Sequence, residues 1–197
     1  MRFDAPEHVH LWQKTGQYPL IHDPIVDYVR GAVSPNDGPI LDLCSSTGLL
    51  GARLYELGYT VCAVQEPNGA LQFGYKAGVY RGVPLLEARI DADSLPAFLH
   101  YVSEQDVETV VARRAFPELW DALGGRTGFG LLAAGLHAAG VERIVLEGRA
   151  PTRKATHPLA TAAAEAAALV GHGWRLAGTA GHVRELAAVP SIGYATE

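Results

Sequence analysis

Apolar residues along the chain form short continuous runs that alternate with segments of helical periodicity. Five of these runs have the length and the β-branched content of buried strands, namely PILDLC, YTVCAVQE, VPLLEARI, VETVVARR and VERIVLEGR. Two further runs, WRLAGTA and HVRELAAV, are close enough together in the chain to form an antiparallel hairpin. The pattern therefore predicts five strands that alternate with helices, followed by a two-stranded hairpin.

The segments between the strands carry apolar residues at helical spacing. In GLLGARLYELG, Leu50, Leu54 and Leu57 recur at i, i+4 and i+7, which is the spacing of one helix face. DPIVDYVRGAV predicts a helix that is capped by Asp23 and has Pro24 at its first position. PELWDAL and GFGLLAAGLHAAG predict one helix that the glycine-rich GGRTG interrupts.

This alternation favours an α/β fold, because each right-handed crossover lays its helix back across a parallel sheet. We expect a doubly wound, mostly parallel seven-stranded sheet with a C-terminal antiparallel hairpin. At 197 residues, 48% of them hydrophobic, the chain can bury one substantial core. Residues 23–197 are thus expected to form a single domain, and residues 1–22 a lid or brace segment.

Composition and charge exclude several function classes. A net charge of −5 argues against nonspecific nucleic-acid binding, which needs a broad cationic surface. The N-terminus lacks the apolar run of a signal peptide, and no stretch of roughly 20 apolar residues could span a bilayer. Cys44 and Cys62 lie in apolar segments without metal-ligand spacing, which is typical of buried free thiols in a reducing cytoplasm. His8 and His10 lack further ligands, so no metal site is expected.

Ligands of open parallel sheets bind outside the carboxyl ends of the strands, so the residues at those ends carry the candidate chemistry. After the first strand, SSTG turns the chain into a helix whose N-terminal amides favour a carboxylate or phosphate. Glu66 closes the second strand, where a carboxylate can bind both hydroxyls of an adenosine ribose. Asp91 and Asp93 follow the third strand.

At these residues the chain resembles the class I S-adenosylmethionine-dependent methyltransferases, over roughly residues 23 to 189. That family has this order of elements and also finishes with a reversed hairpin. Its first motif is an acidic residue followed by three alternating glycines, which correspond here to Asp42, Cys44, Ser46 and Gly48. Only the acid and the last glycine match, and Ser46 puts a side chain where the methionine part of the cofactor should pass.

The resemblance implies that S-adenosylmethionine is the cofactor and gives each of these residues a role. Asp42 would position the amino-acid moiety, and the turn from Ser45 to Gly48, together with Cys44 before it, would line it. Glu66 would hold the ribose, and Asp91 or Asp93 would meet the adenine.

Other interpretations of these residues stay open. Asp42 can simply cap the turn, Glu66 can be a solvated acid at a strand end, and DADS can be an N-terminal helix signal. Ser46, Gly48 and Gly51 also mimic the dinucleotide fingerprint G-x-G-x-x-G with its first glycine lost. The acid inside the first strand favours the methyltransferase interpretation over the dinucleotide one.

The ends of the fourth and fifth strands supply candidate acceptor-binding residues. The fourth strand ends in ARRAFPEL, which lacks the [DNS]-P-P-[YFW] motif of enzymes that methylate exocyclic base nitrogens. Cations gather at these two strand ends and predict a site for a phosphate or carboxylate; they are Arg113, Arg114, Arg149, Arg153 and Lys154. Alternatively, these charges are solvated, and neighbouring Arg113 and Arg114 diverge along the strand pleat.

His157 is a candidate general base, since histidine accepts a proton near neutral pH, and Glu147 on the fifth strand is a second candidate. The sequence therefore predicts methyl transfer from S-adenosylmethionine to an acceptor, with an anionic group on that acceptor as a further expectation. The alternative is a catalytically silent protein of the same fold that acts as a binding or partner subunit. A homo-oligomer or a partner protein is compatible with both.

Overall fold

The computed structural model describes residues 22–76, 78–150 and 156–190, and these ranges contain seven strands and seven helices. The strands are β1 (Ile40–Leu43), β2 (Val61–Gln65), β3 (Leu85–Glu87), β4 (Thr109–Arg113), β5 (Arg143–Glu147), β6 (Trp174–Ala180) and β7 (Val183–Ala188). The helices are α1 (Asp23–Ala32), α2 (Leu49–Glu56), α3 (Gly69–Lys76), α4 (Leu95–Glu104), α5 (Phe116–Ala122), α6 (Arg126–Ala138) and α7 (Ala162–Leu169).

All seven strands form one sheet in the order β3-β2-β1-β4-β5-β7-β6. The first five strands of this order run parallel, and Ile40 of β1 lies opposite both Val61 of β2 and Thr109 of β4. Strand β7 runs antiparallel to both of its neighbours, β5 and β6. The predicted fold is confirmed, including the reversed hairpin. Because the strand order changes direction between β1 and β4, their carboxyl ends border the crevice where such sheets bind ligands.

The core has two apolar layers, one on each face of the sheet. Successive strand residues point to opposite faces, so Leu41 packs in one layer with Phe98 of α4, while Ile40 packs in the other with Val26 of α1. All four residues of β1 are buried, Asp42 among them. Burial on both faces explains why the parallel strands carry continuous apolar runs rather than alternating ones.

Some element boundaries differ from the sequence-based expectation. Helix α1 begins at Asp23 itself and its N-cap is His22, so Asp23 is a residue of the first turn and not the cap. PELWDAL and GFGLLAAGLHAAG form two separate helices, α5 and α6, because Gly124 and Gly125 adopt φ angles of 75° and 90°, which end the first helix. Strand β3 has only three residues.

The residues before 22 lie outside the described part, so the lid or brace segment stays a prediction, as do His8 and His10. Its last residue, His22, is buried and contributes to the cavity described below. No helix in the described part of the chain combines the length and the apolar character needed to cross a membrane. Cys44 and Cys62 are free thiols, the first half-buried and the second buried.

Candidate functional site

A cavity of about 590 Å³ opens at the carboxyl ends of β1, β2 and β4, beside the point where the strand order changes direction. Its walls come from the turn after β1, from the ends of β2, β3 and β4, from the first residues after β5, and from α5. This volume is within the usual range of small-molecule sites. The cavity brings together most of the residues that the sequence predicts for a site.

The turn after β1 has an unusual backbone. Cys44, Ser46 and Gly48 have φ angles of 57°, 55° and 78°, so alternate residues are in the left-handed region. A residue with a side chain pays about 1–2 kcal/mol for this conformation, whereas glycine does not. These are the three positions that correspond to the glycines of the methyltransferase motif. The turn therefore has the backbone that a glycine motif favours, although two of its three positions carry side chains.

Tyr80 and Gln65 stabilise this strained turn. The Tyr80 hydroxyl donates to the carbonyl oxygen of Ser46 at 2.9 Å, and it lies 3.0 Å from Ser45 Oγ, which can donate in return. Gln65 Oε1 accepts a hydrogen bond from the Ser46 amide at 2.6 Å. A Cβ added at Gly48 would lie 2.5 Å from the Tyr80 ring, so this position requires glycine for space as well as for its φ angle.

Asp42 is a buried carboxylate that lines the cavity from inside β1. Its Oδ2 accepts a hydrogen bond of 2.8 Å from the amide of Gly51 in α2, which ties the strand to the helix that follows the turn. Burial raises the pKa of Asp42 to about 7, and the Gly51 hydrogen bond only partly opposes this rise. Asp42 therefore caps α2, in agreement with the alternative interpretation, and it also lines the cavity, where its cofactor-binding role stays a prediction.

The end of β2 places two polar side chains at the cavity. Glu66, the predicted ribose ligand, is exposed at the rim and accepts a hydrogen bond of 3.2 Å from Asn68 Nδ2. Gln65, the last residue of the strand, is buried, lines the cavity and bonds to the turn after β1. Sequence reasoning missed Gln65, although a polar residue that ends an apolar strand is a signal for an inward-facing site residue.

Asp91 and Asp93 follow β3, and neither lines the cavity, whereas the preceding Arg89 and Ile90 do. Asp91 Oδ1 accepts hydrogen bonds from the amides of Asp93 and Ser94 at 3.2 and 3.1 Å, just before α4 begins. The hydrogen bonds from Ser94 hold the pKa of Asp91 below its usual range. These contacts match the helix-start interpretation, and the adenine-binding role stays a prediction.

The arginines at the ends of β4 and β5 have different surroundings. Arg113 is mostly buried, and its Nε lies 3.3 Å from Glu147 Oε2. Arg114 adopts a φ of 57° and donates its amide to the carbonyl oxygen of Glu147 at 2.9 Å. Arg114 and Arg149 are exposed, line the cavity, and form no ion pair with the other described residues. Neighbouring Arg113 and Arg114 therefore differ in environment, and Arg153 and Lys154 lie outside the described residues.

The two candidate bases lie away from the cavity surface. Burial raises the pKa of Glu147, and the nearby Arg113 opposes that rise. His157 Nδ1 accepts the amide of Leu159 at 2.9 Å, and its Nε2 lies 3.2 Å from Asp121 Oδ1. Both ring nitrogens of His157 are thus engaged by groups of the protein, and neither residue lines the cavity. Their role as general bases stays a prediction.

Comparison with known proteins gives structural matches only. No protein-family model and no curated protein matches the sequence. Among solved structures, magnesium protoporphyrin IX methyltransferase from Synechocystis PCC 6803 with bound S-adenosylmethionine matches with a TM-score of 0.58 and 14% identity, over 88% of this chain and 80% of that chain.

Two further matches have similar scores. A glycopeptide N-methyltransferase complexed with S-adenosylhomocysteine has a TM-score of 0.56 and 17% identity, over 86% of this chain and 87% of that one. A TehB-like S-adenosylmethionine-dependent methyltransferase from Corynebacterium glutamicum has a TM-score of 0.54 and 14% identity, over 92% and 99%. The chain therefore has the Rossmann-like fold of the S-adenosylmethionine-dependent methyltransferases.

Proposed function

We propose that the protein transfers the methyl group of S-adenosylmethionine to a small acceptor that carries an anionic group. The observation that carries this proposal is the turn after β1, whose alternate left-handed residues keep the backbone of a glycine motif beside the switch-point cavity. Each residue with a side chain costs free energy in the left-handed conformation. A turn that binds no ligand would have no reason to retain this costly backbone conformation. Solved structures of the same fold contain S-adenosylmethionine or S-adenosylhomocysteine.

The residues around the cavity fit this cofactor. Asp42 and the turn from Ser45 to Gly48 would hold its amino-acid part, and Gln65 and Glu66 at the end of β2 would hold its ribose. One oxygen of the buried Asp42 accepts no hydrogen bond from the described residues, which leaves it available to a cationic ligand group. The bound cofactor would supply a methyl group already activated by a positive sulfonium.

Arg114 and Arg149 would bind the anionic group of the acceptor. Both are exposed at the cavity, and a guanidinium binds carboxylate or phosphate through two parallel hydrogen bonds. Arg113 would act as a support, since it lies against Glu147. Positioning supplies much of the rate of such a transfer. Glu147 and His157 are the proposed bases for an acceptor that must lose a proton.

Calorimetry and thermal-shift measurements with S-adenosylmethionine and S-adenosylhomocysteine test the cofactor. We expect binding of both, and no comparable binding of NAD, which represents the dinucleotide alternative. Glu66→Gln and Gln65→Ala are each expected to weaken the binding of both ligands. Absence of heat and of any thermal shift at millimolar cofactor would refute the enzyme proposal.

A panel of small carboxylates and phosphates, with S-adenosylhomocysteine release as the readout, tests the acceptor. We expect turnover with at least one anionic compound, and an increase in KM of about tenfold or more in Arg114→Gln and Arg149→Gln, since each removes a charge-assisted hydrogen bond. Arg175→Gln is the matched control, because Arg175 is an exposed arginine on β6 that does not line the cavity. Unchanged KM in both cavity variants would remove the anion-binding role.

A second candidate function is that of a catalytically silent binding or partner subunit. Cys44 and Ser46, which carry side chains at glycine positions of the turn, favour it. The same calorimetry separates the two candidates, because a silent subunit would leave both cofactor forms unbound.

A further inference from the structure

Glu118 also lines the cavity and has no role in the proposed function. It lies in the first turn of α5, the helix that begins just after Arg114. Its side chain is exposed at the cavity, where Leu119 and Ala122 of the same helix also form part of the wall. No hydrogen bond or ion pair joins the Glu118 carboxylate to any other described residue, so this charge is available to a ligand.

The charge near the turn after β1 is negative. Burial raises the pKa of the Cys44 thiol to about 12, and the carboxylates of Glu118, Asp42 and Glu66 add to this rise, Glu118 first among them. All four residues line the same cavity. Asp42 is only 2% exposed and offers one oxygen without a hydrogen bond. A buried carboxylate with an unused acceptor, facing a cavity, indicates that a cationic or donor group of a ligand belongs there.

The cavity also has positively charged residues in its wall. The charges that act on Glu147 and Glu165, beside the ends of β4 and β5, include those of Arg113, Arg114 and Arg149. The cavity therefore carries both signs of charge, with carboxylates that act on Cys44 and guanidinium groups that act on Glu147 and Glu165. A cationic cofactor near the carboxylates and an anionic acceptor near the guanidinium groups would match these charges.

We propose that the Glu118 carboxylate recognises the positive charge of the methyl-bearing sulfonium, so that the site binds S-adenosylmethionine in preference to its neutral product. This inference rests on the proposed function and adds to it a preference for the methylated cofactor over its product. S-adenosylmethionine and S-adenosylhomocysteine differ only in the methyl group and in this charge. A nearby carboxylate thus stabilises the first and not the second, and release of the spent cofactor becomes easier after transfer.

The test is the ratio of dissociation constants for the two cofactor forms, measured by calorimetry for the wild-type protein and for Glu118→Gln. Sinefungin, which carries a protonated amine in place of the methylated sulfonium, is the third ligand. We expect Glu118→Gln to weaken S-adenosylmethionine and sinefungin about three- to tenfold and S-adenosylhomocysteine less than about twofold, a range reduced by the exposure of Glu118. Glu118→Asp should keep part of the preference.

Glu142→Gln is the control, because Glu142 is an exposed glutamate next to the amino end of β5, at the other edge of the sheet. Circular dichroism and the melting temperature check that each variant is folded. Equal weakening of all three ligands in Glu118→Gln, or no change in any of them, overturns the inference while leaving the proposed function intact. Failure of the wild-type protein to bind any of the three overturns both.

Discussion

Glu165 is a buried carboxyl group whose cost to the fold can be measured. It lies in the first turn of α7 and is 0% exposed, and neither of its oxygens has a hydrogen-bond partner. Burial raises the pKa of Glu165 from 4.5 to about 8, although Arg149 and Arg114 oppose this rise. Gly148 makes this tight packing possible, since a Cβ there would lie 2.7 Å from Glu165 Oε1.

The raised pKa makes stability depend on pH with a defined sign. Above pH 4.5 the unfolded chain gains free energy by ionising Glu165, whereas the folded protein keeps the group neutral until about pH 8. The group therefore lowers the free energy of unfolding as pH rises between these two values. The loss is roughly 1 kcal/mol at pH 5, roughly 3 at pH 7 and roughly 4 at pH 8.

Glu165→Gln keeps the shape of the side chain and removes its ionisation. We expect the variant to gain stability over the wild-type protein progressively from pH 5 to pH 8, by roughly 3 kcal/mol at pH 7. Urea unfolding at four pH values measures this difference, and Glu142→Gln, at an exposed site, should show almost none of it. A difference that stays constant with pH, or that decreases as pH rises, would refute the reasoning.

The remaining predictions concern the turn after β1 and the Asp42 carboxylate that precedes it. Ser46→Gly and Cys44→Gly should each raise the free energy of unfolding by up to about 1 kcal/mol in chemical denaturation, because glycine relieves the left-handed strain but adds freedom to the unfolded chain; clear destabilisation would contradict this. Ser46→Gly should also bind S-adenosylmethionine more tightly than the wild-type protein in calorimetry. Affinity for that cationic ligand should rise as pH increases from 6 to 8, since the pKa of Asp42 is about 7, and Asp42→Asn should abolish the dependence. Tyr80→Phe removes two hydrogen bonds to the turn and should cost about 1–3 kcal/mol in thermal or urea unfolding.

The sequence was sufficient for the fold because the apolar runs are long and both faces of the sheet are covered. Continuous runs such as VETVVARR predict buried parallel strands, and the short link between the last two strands predicts the hairpin. The predicted start of α1 was wrong by one residue, since a Pro at the first or at the second helical position is equally compatible with a helix start. The interruption between α5 and α6 was recognised, but not that it separates two helices.

The site was harder to predict, because side-chain direction depends on a one-residue register. Glu66 follows β2 directly, yet Gln65 is the residue whose side chain turns inward to the loop after β1. Glu165 was overlooked because an Ala-rich helix carries almost no periodicity to reveal which face is buried. Glu118 was overlooked because its proximity to Cys44 arises only when α5 packs beside the carboxyl end of β1.

The position of β7 has a consequence for how the chain folds. Among the seven strands of the sheet, β7 comes last along the chain, yet in the sheet it lies between β5 and β6 and pairs with both. Glu185 on it also bonds to Tyr28 of α1 and pairs with Arg143 of β5. While the polypeptide is still being synthesised, β5 has no neighbour on one side until residues 183–188 have emerged. Folding of this half of the sheet therefore waits for residues 183–188, and a chain that stops before residue 183 would leave strand edges of β5 and β6 unpaired and open to aggregation.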